Sequence, residues 1–293
     1  MTQSISLPRP ATLSQLRDRY DVLYCDVWGV IRDGRRLLPA AVDALVRFRQ
    51  SGGYVCLVSN SPQRARGLAA MLDQMGLSGG SVDAIVTSGD AIHAELAART
   101  PGRALRIGPE DDAGLYEGLA IEFTGIAEAD FISCTGPDDY WNGKPEDYRA
   151  VLEAALERDL DLVCANPDIV VQSGDRLIYC AGAIARLYTQ MGGRSIVAGK
   201  PHRPIYQLAR SKAEASGRVF DPRRVLAIGD GPETDIAGAV RVGIDALFVA
   251  DGIHGADLNS DSLNSETVAG MLDGYGVHTR WWASRLVWSD PSA

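Results

Sequence analysis

Four apolar segments of this chain end in a polar residue that a core would not hold. Asp26 follows Val22-Leu23-Tyr24-Cys25, Ser59 follows Tyr54 to Val58 and precedes Asn60, Lys200 sits in Gly199-Lys200-Pro201, and Asp230 opens Asp230-Gly231-Pro232-Glu233-Thr234-Asp235. Any one of them is adequately explained as the cap of a turn or helix. Together they fit the rule that ligands of doubly wound sheets sit beyond the carboxyl ends of the strands, and convergence there is the functional expectation.

Each residue type then has a task. A carboxylate at Asp26 can attack phosphorus and form an acyl phosphate, dividing one difficult displacement into two easier ones. Asp26 and an incoming phosphate repel, and Asp230 and Asp235 add hard oxygen donors suited to Mg²⁺, which would screen that repulsion. Lys200 brings a positive charge for the transferring oxygens, while Ser59 and the main-chain N–H groups around Asn60 offer neutral donors at a helix start. A dinucleotide turn at Gly229 is disfavoured, because the third glycine of GxGxxG is missing and Asp230 would repel a pyrophosphate.

The elements that must position these groups alternate along the chain, which predicts an α/β fold built on doubly wound parallel sheet. Strands are expected over Val22 to Cys25, Tyr54 to Val58, Ala84 to Val86, Ser195 to Ala198, Arg224 to Ile228 and Ala246 to Val249. Helical spacing of apolar residues marks Pro39 to Gln50, Pro62 to Met75, His202 to Ala215 and Asp235 to Val242. Thr12-Leu13-Ser14-Gln15 reads as a capping box before the first of these strands. Between about 88 and 195 a second α/β unit is expected, with strands at Ala104 to Ile107, Asp130 to Cys134 and Asp161 to Cys164 and helices at Pro145 to Arg158 and Ala181 to Met191. Chemistry-bearing residues lie on both sides of it, so it reads as an insertion into a discontinuous core of residues 1–87 and 196–293. Past Gly252 the chain is rich in Ser, Asn and Asp, then carries Trp281, Trp282 and Trp288, expected to seal the core or a subunit contact.

At 293 residues the chain is long for a single domain, and its net charge of −9 leaves no basic stripe for nucleic acid. No apolar stretch approaches the ~18 residues needed to cross a bilayer, and the first twenty residues have no signal-like apolar core, so a cytoplasmic location is expected. The five cysteines Cys25, Cys56, Cys134, Cys164 and Cys180 lie in apolar segments without metal-ligand spacing, as buried reduced thiols do.

The Asp26 DxxG turn, Ser59-Asn60, Gly199-Lys200-Pro201 and Gly229-Asp230 through Asp235 resemble the four ordered motifs of the haloacid dehalogenase superfamily. A domain-sized insertion between the second and third motifs resembles the class IIA cap of NagD-like and nitrophenylphosphatase-like members, and Ala165-Asn166-Pro167-Asp168 and Gly182 are similar to that cap's pattern. The resemblance implies a Mg²⁺-dependent hydrolase of a small phosphorylated metabolite, of the sugar-phosphate, nucleotide or aryl-phosphate class. It assigns Asp26 as nucleophile, the Asp26 carboxylate, the Trp28 carbonyl, Asp230 and Asp235 as metal ligands, and Ser59 and Lys200 as phosphoryl binders. Asn166 and Asp168 become candidate substrate contacts in the cap, and caps of this kind allow a homodimer.

Trp28 departs from the pattern, since such phosphatases usually carry an aspartate there as general acid and base. Indole has a donor N–H that does not titrate in water's range. Losing a positioned acid or base costs ~10² to 10⁴ in rate. Asp33 and Glu233 are the nearby carboxylates that could stand in, against the simpler reading of each as a turn or helix-start charge. Two other readings follow from Trp28: attack at carbon, as in dehalogenases, and a weakly catalytic regulatory protein that binds Mg²⁺ and a phosphorylated ligand.

Overall fold

The computed structural model describes residues 7–173, 176–252 and 263–289. The Ser/Asn/Asp-rich stretch expected after Gly252 falls largely outside them. Strands among the described residues are β1 (Arg9–Pro10), β2 (Val22–Cys25), β3 (Tyr54–Ser59), β4 (Ala84–Thr87), β5 (Gly102–Ile107), β6 (Ile121–Phe123), β7 (Phe131–Cys134), β8 (Asp161–Cys164), β9 (Val170–Ser173), β10 (Arg176–Tyr179), β11 (Arg194–Val197), β12 (Val225–Gly229), β13 (Asp245–Val249) and β14 (Trp281–Ala283). The chain divides into two compact units, Met1–Val58 with Leu72–Ile85 and Tyr206–Ala293, and Ser59–Met71 with Val86–Ile205.

A seven-stranded sheet with the order β1-β14-β13-β12-β2-β3-β4 carries the first unit. Every residue of β2, β3 and β12 is buried, as expected of parallel strands covered on both faces. That is why these segments read as unbroken apolar runs rather than alternating ones. The helix Pro39–Gln50 starts on a proline, which suits a first turn whose N–H has no partner in the helix, and buries Ala41, Ala44, Leu45 and Phe48. Before β2, the Gln15 side chain accepts from the Thr12 N–H at 2.9 Å, one half of the anticipated capping box. Trp281 and Trp282 lie within β14, and the Trp281 indole donates to the Tyr20 hydroxyl at 2.8 Å.

The second unit has its own parallel sheet, ordered β11-β8-β7-β5-β6, and an antiparallel β9-β10 pair. Its core joins Ile132, Leu162, Cys164 and Ile107 from the sheet to Leu152, Ala155, Ile184 and Tyr188 from the helices Arg149–Glu157 and Ala181–Gln190. The strand expected before Lys200 is present as β11, but it pairs in parallel with β8 from Arg194↔Asp161 to Val197↔Cys164. It therefore belongs to this smaller sheet and not to the large one, where the sequence reading places it. Two ion pairs, from Arg194 and Arg99 to Asp161, hold the start of β8.

All five cysteines are free and buried. Burial pushes the Cys164 thiol up to about 12, where it is neither a nucleophile nor a ligand at neutral pH. Replacement of the buried indole in Trp281→Ala is expected to destabilise the first unit by ~3 to 5 kcal/mol, measured as a lowered denaturation midpoint, because it leaves a cavity and removes the indole donor to the Tyr20 hydroxyl. A loss within ~0.5 kcal/mol would show that β14 does not support the sheet.

Candidate active site

The first unit gathers Asp26, Asp230 and Asp235. β2 and β12 are parallel neighbours in register at Cys25↔Ile228, and the Asp26 N–H donates to the Ile228 carbonyl at 2.8 Å. The residues that follow the two strands, Asp26 and Asp230, are thus delivered to the same edge of the sheet. Asp235 comes from the π-helical turn Pro232–Ile236, where its Oδ2 accepts from the Gly231 N–H at 3.2 Å. One carboxylate oxygen from each of the three lies within 4.8 Å of the others, and the residues are 8%, 6% and 4% exposed respectively.

Three buried carboxylates this close repel one another, and a cation among them removes that cost. The surrounding backbone is cut to fit them. A Cβ on Gly29 would lie 1.9 Å from Asp230 Oδ2, one on Gly252 2.1 Å from the same atom, and one on Gly229 2.0 Å from Asp235 Cγ. Gly29 also has φ +76, a conformation that side chains disfavour. Hard oxygen donors in a glycine cradle fit a divalent cation such as Mg²⁺. Among the described residues, no main-chain N–H donates to the Trp28 carbonyl, so that oxygen has no main-chain donor competing with a metal. The sequence showed Gly29 and Gly229 only as turn residues, and nothing in it marked Gly252.

The Trp28 ring is fixed by a partner the sequence did not reveal. The Arg32 guanidinium carbon stands 3.9 Å from the ring centroid, and Arg32 is only 5% exposed. Main-chain bonds from the Gly29 N–H to the Arg32 carbonyl and from the Arg32 N–H to the Val27 carbonyl close the loop that stacks them. Asp33 is engaged elsewhere, its Oδ1 accepting from the N–H groups of Arg35 at 2.8 Å and Arg36 at 2.9 Å. Slight burial raises its pKa, but these bonds and the Arg36 side chain outweigh it and hold the carboxyl below its ordinary value. A group kept ionised in this way is poorly suited to act as an acid. Glu233 lies on the Pro232–Ile236 turn with its side chain exposed.

The second unit gathers Ser59, Asn60, Lys200 and Asp168. Ser59 is 1% exposed and its hydroxyl accepts from the Ser61 N–H at 3.2 Å, a local turn bond. The Asn60 amide reaches across the unit, accepting from the Lys200 N–H at 2.7 Å and donating to the Lys200 carbonyl at 3.2 Å and Asp168 Oδ1 at 2.7 Å. Asn166 makes the expected turn bond, its Oδ1 accepting from the Asp168 N–H at 3.1 Å. Gly199 is the close-approach point, since a Cβ there would fall within 2.7 Å of Asn60 Oδ1 and of the Pro167 ring.

Comparison with known proteins places this geometry in a family. A profile for haloacid dehalogenase-like hydrolases matches residues 23–122, and a HAD-hydrolase-like profile matches residues 197–273. A crystal structure of a hydrolase of the haloacid dehalogenase-like family from Brucella suis is 40% identical, with TM-score 0.85, covering 95% of this chain and all of that one. The chain belongs to the haloacid dehalogenase-like hydrolases. Its core and inserted α/β cap are those of class IIA members of that superfamily. Among curated relatives, chronophin from Homo sapiens is 26% identical over 84% of this chain and 86% of its own. D-glycerol 3-phosphate phosphatase from Mycobacterium tuberculosis is 28% identical over 83% of this chain and 67% of its own.

The glycine cradle yields a test on metal binding. Gly29→Ala is expected to weaken Mg²⁺ or Mn²⁺ affinity at least ~10-fold by calorimetry, since the new methyl must displace Asp230 and also strains the backbone. Unchanged affinity would show that the carboxylate cluster is not the metal site.

Proposed function

We propose that this hydrolase is a Mg²⁺-dependent phosphatase of a small phosphorylated metabolite, working through an aspartyl phosphate on Asp26. The buried Asp26, Asp230 and Asp235 cluster carries the reading, because it pairs a nucleophile with a cation site. A relative that is a D-glycerol 3-phosphate phosphatase supports phosphomonoester hydrolysis as the reaction class.

Asp26 attacks phosphorus and forms an acyl phosphate as the leaving oxygen departs, and water then cleaves that acyl phosphate, releasing inorganic phosphate and restoring the carboxylate. The carboxylates of Asp26 and Asp230, the Trp28 carbonyl and Asp235, directly or through water, would hold Mg²⁺, which would screen charge between nucleophile and phosphate. Ser59 and the Asn60 N–H donate to phosphoryl oxygens and Lys200 balances their charge. Substrate choice falls to the cap. Five free, buried cysteines are in keeping with a reducing cytoplasm as the place of action.

Trp28 shapes which esters are cleaved. Neither its indole nor the Arg32 guanidinium stacked on it can hand a proton to a leaving oxygen at neutral pH. Aryl and acyl phosphates leave as stabilised anions and do not need that proton, whereas a sugar or polyol alkoxide does. The missing acid is worth ~10² to 10⁴ in rate, or roughly 3 to 5 kcal/mol.

With Mg²⁺ present, kcat/KM for p-nitrophenyl phosphate is therefore expected to exceed that for an alkyl phosphate by ~100-fold or more. Asp26→Asn should abolish both activities, and Trp28→Asp should raise the alkyl activity. Equal kcat/KM for the two ester classes in the wild type would contradict the role given to Trp28, and activity that survives Asp26→Asn would contradict the mechanism.

A further inference from the structure

We infer that Asp168 is a positioning residue for Lys200, acting through the Asn60 amide. The inference rests on the proposal that Lys200 binds the phosphoryl group, and it assigns Asp168 a task other than touching substrate.

The hydrogen-bond inventory of Asn60 leads to it. A primary amide has two N–H hydrogens and one carbonyl oxygen. Here the two hydrogens have two acceptors, Asp168 Oδ1 at 2.7 Å and the Lys200 carbonyl at 3.2 Å, while the oxygen accepts from the Lys200 N–H at 2.7 Å. Asn60 is 2% exposed. Its side chain has no donor left for a phosphate oxygen, so its direct contribution to a phosphate is restricted to its main-chain N–H. What the side chain does is grip both main-chain polar groups of Lys200, which fixes the root from which the ammonium reaches out.

An amide can turn over, and the grip works only one way round. With oxygen and nitrogen exchanged, the amide oxygen would face both the Asp168 carboxylate and the Lys200 carbonyl, and the NH₂ would face the Lys200 N–H, which are three repulsive contacts. Asp168 is the one charged acceptor among these partners, so it adds the strongest of the three contacts that lock the orientation holding Lys200. It is held in turn by the Asn166 side chain on its N–H. Gly182 lies so close that a Cβ there would meet the Asp168 carbonyl at 2.5 Å, and Gly199 lies equally close to Pro167 and Asn60. β8 and β11, which lead to Asp168 and Lys200, are parallel neighbours paired at Cys164↔Val197, so the turn and the lysine start from the same edge of one sheet.

The test uses inorganic phosphate as the probe, measured as a competitive inhibitor of p-nitrophenyl phosphate hydrolysis and directly by calorimetry, with folding checked by circular dichroism. Asp168→Asn is isosteric but removes the charged acceptor that locks the amide orientation. It is expected to weaken phosphate binding and raise KM ~10-fold, with kcat changed less than ~3-fold. Asn60→Asp sets two carboxylates against each other and is expected to weaken binding ~100-fold. The double variant Asn60→Asp/Asp168→Asn restores a donor–acceptor pair of reversed polarity and should regain ~10-fold in phosphate affinity over Asn60→Asp, while the rise in KM with kcat nearly unchanged separates a positioning role from a general loss of structure.

Phosphate affinity unchanged in folded Asp168→Asn, or a double variant no better than Asn60→Asp, overturns the inference. If a single variant does not fold, the double variant decides alone: affinity within ~10-fold of wild type supports the inference and a greater loss overturns it. Failure of the phosphatase reading has a separate signature, a wild type that neither hydrolyses the ester nor binds phosphate.

Discussion

Mutual repulsion among three buried carboxylates is the constraint on which the rest of this molecule depends. Asp26, Asp230 and Asp235 each lie under 9% exposed with ligand oxygens within 4.8 Å of one another. Such an arrangement is costly without a cation, and the chain builds it from rigid parts. Two adjacent parallel strands carry the first two aspartates to one sheet edge, a π-helical turn carries the third, and glycines at 29, 229 and 252 leave the space that the side chains fill. The fold concentrates negative charge where a divalent ion would offset it.

Within each unit, polar groups orient other groups as much as they face a ligand. Arg32 stacks on the Trp28 ring and fixes it two residues after Asp26. Asn60 holds the main chain of Lys200, and Asp168 adds the strongest contact that locks the way Asn60 faces. In both cases one side chain owes its geometry to a second one packed or bonded against it. Differences in rate between ester classes would then follow from what the Trp28 position cannot do, while phosphate affinity would follow from how well Lys200 is held.

Much of this was legible in the sequence, and the reasons for the rest are physical. Pro39–Gln50, Val22–Cys25 and Asp161–Cys164 have the expected bounds, because helical periodicity and short buried apolar runs are local signals. β1, β6 and β14 are two or three residues long, and they are strands only because neighbours pair with them. β11 was recognisable as a strand, but which sheet it joins depends on β8, more than thirty residues earlier, and no local pattern records that choice. The carboxylate cluster could be anticipated because its residue types are chemically distinctive. The Asn60–Asp168 bond could not, since it links positions 108 residues apart whose local sequences are each satisfied by turn chemistry.

The most direct test of the central claim is a crystal structure of the protein grown with Mn²⁺ in place of Mg²⁺, with the ion located by its anomalous scattering. The account predicts one ion at about 2.0 to 2.3 Å from carboxylate oxygens of Asp26 and Asp230 and from the Trp28 carbonyl, with Asp235 bound directly or through water. An ion bound elsewhere, or no ion at these carboxylates at millimolar Mn²⁺, would contradict it.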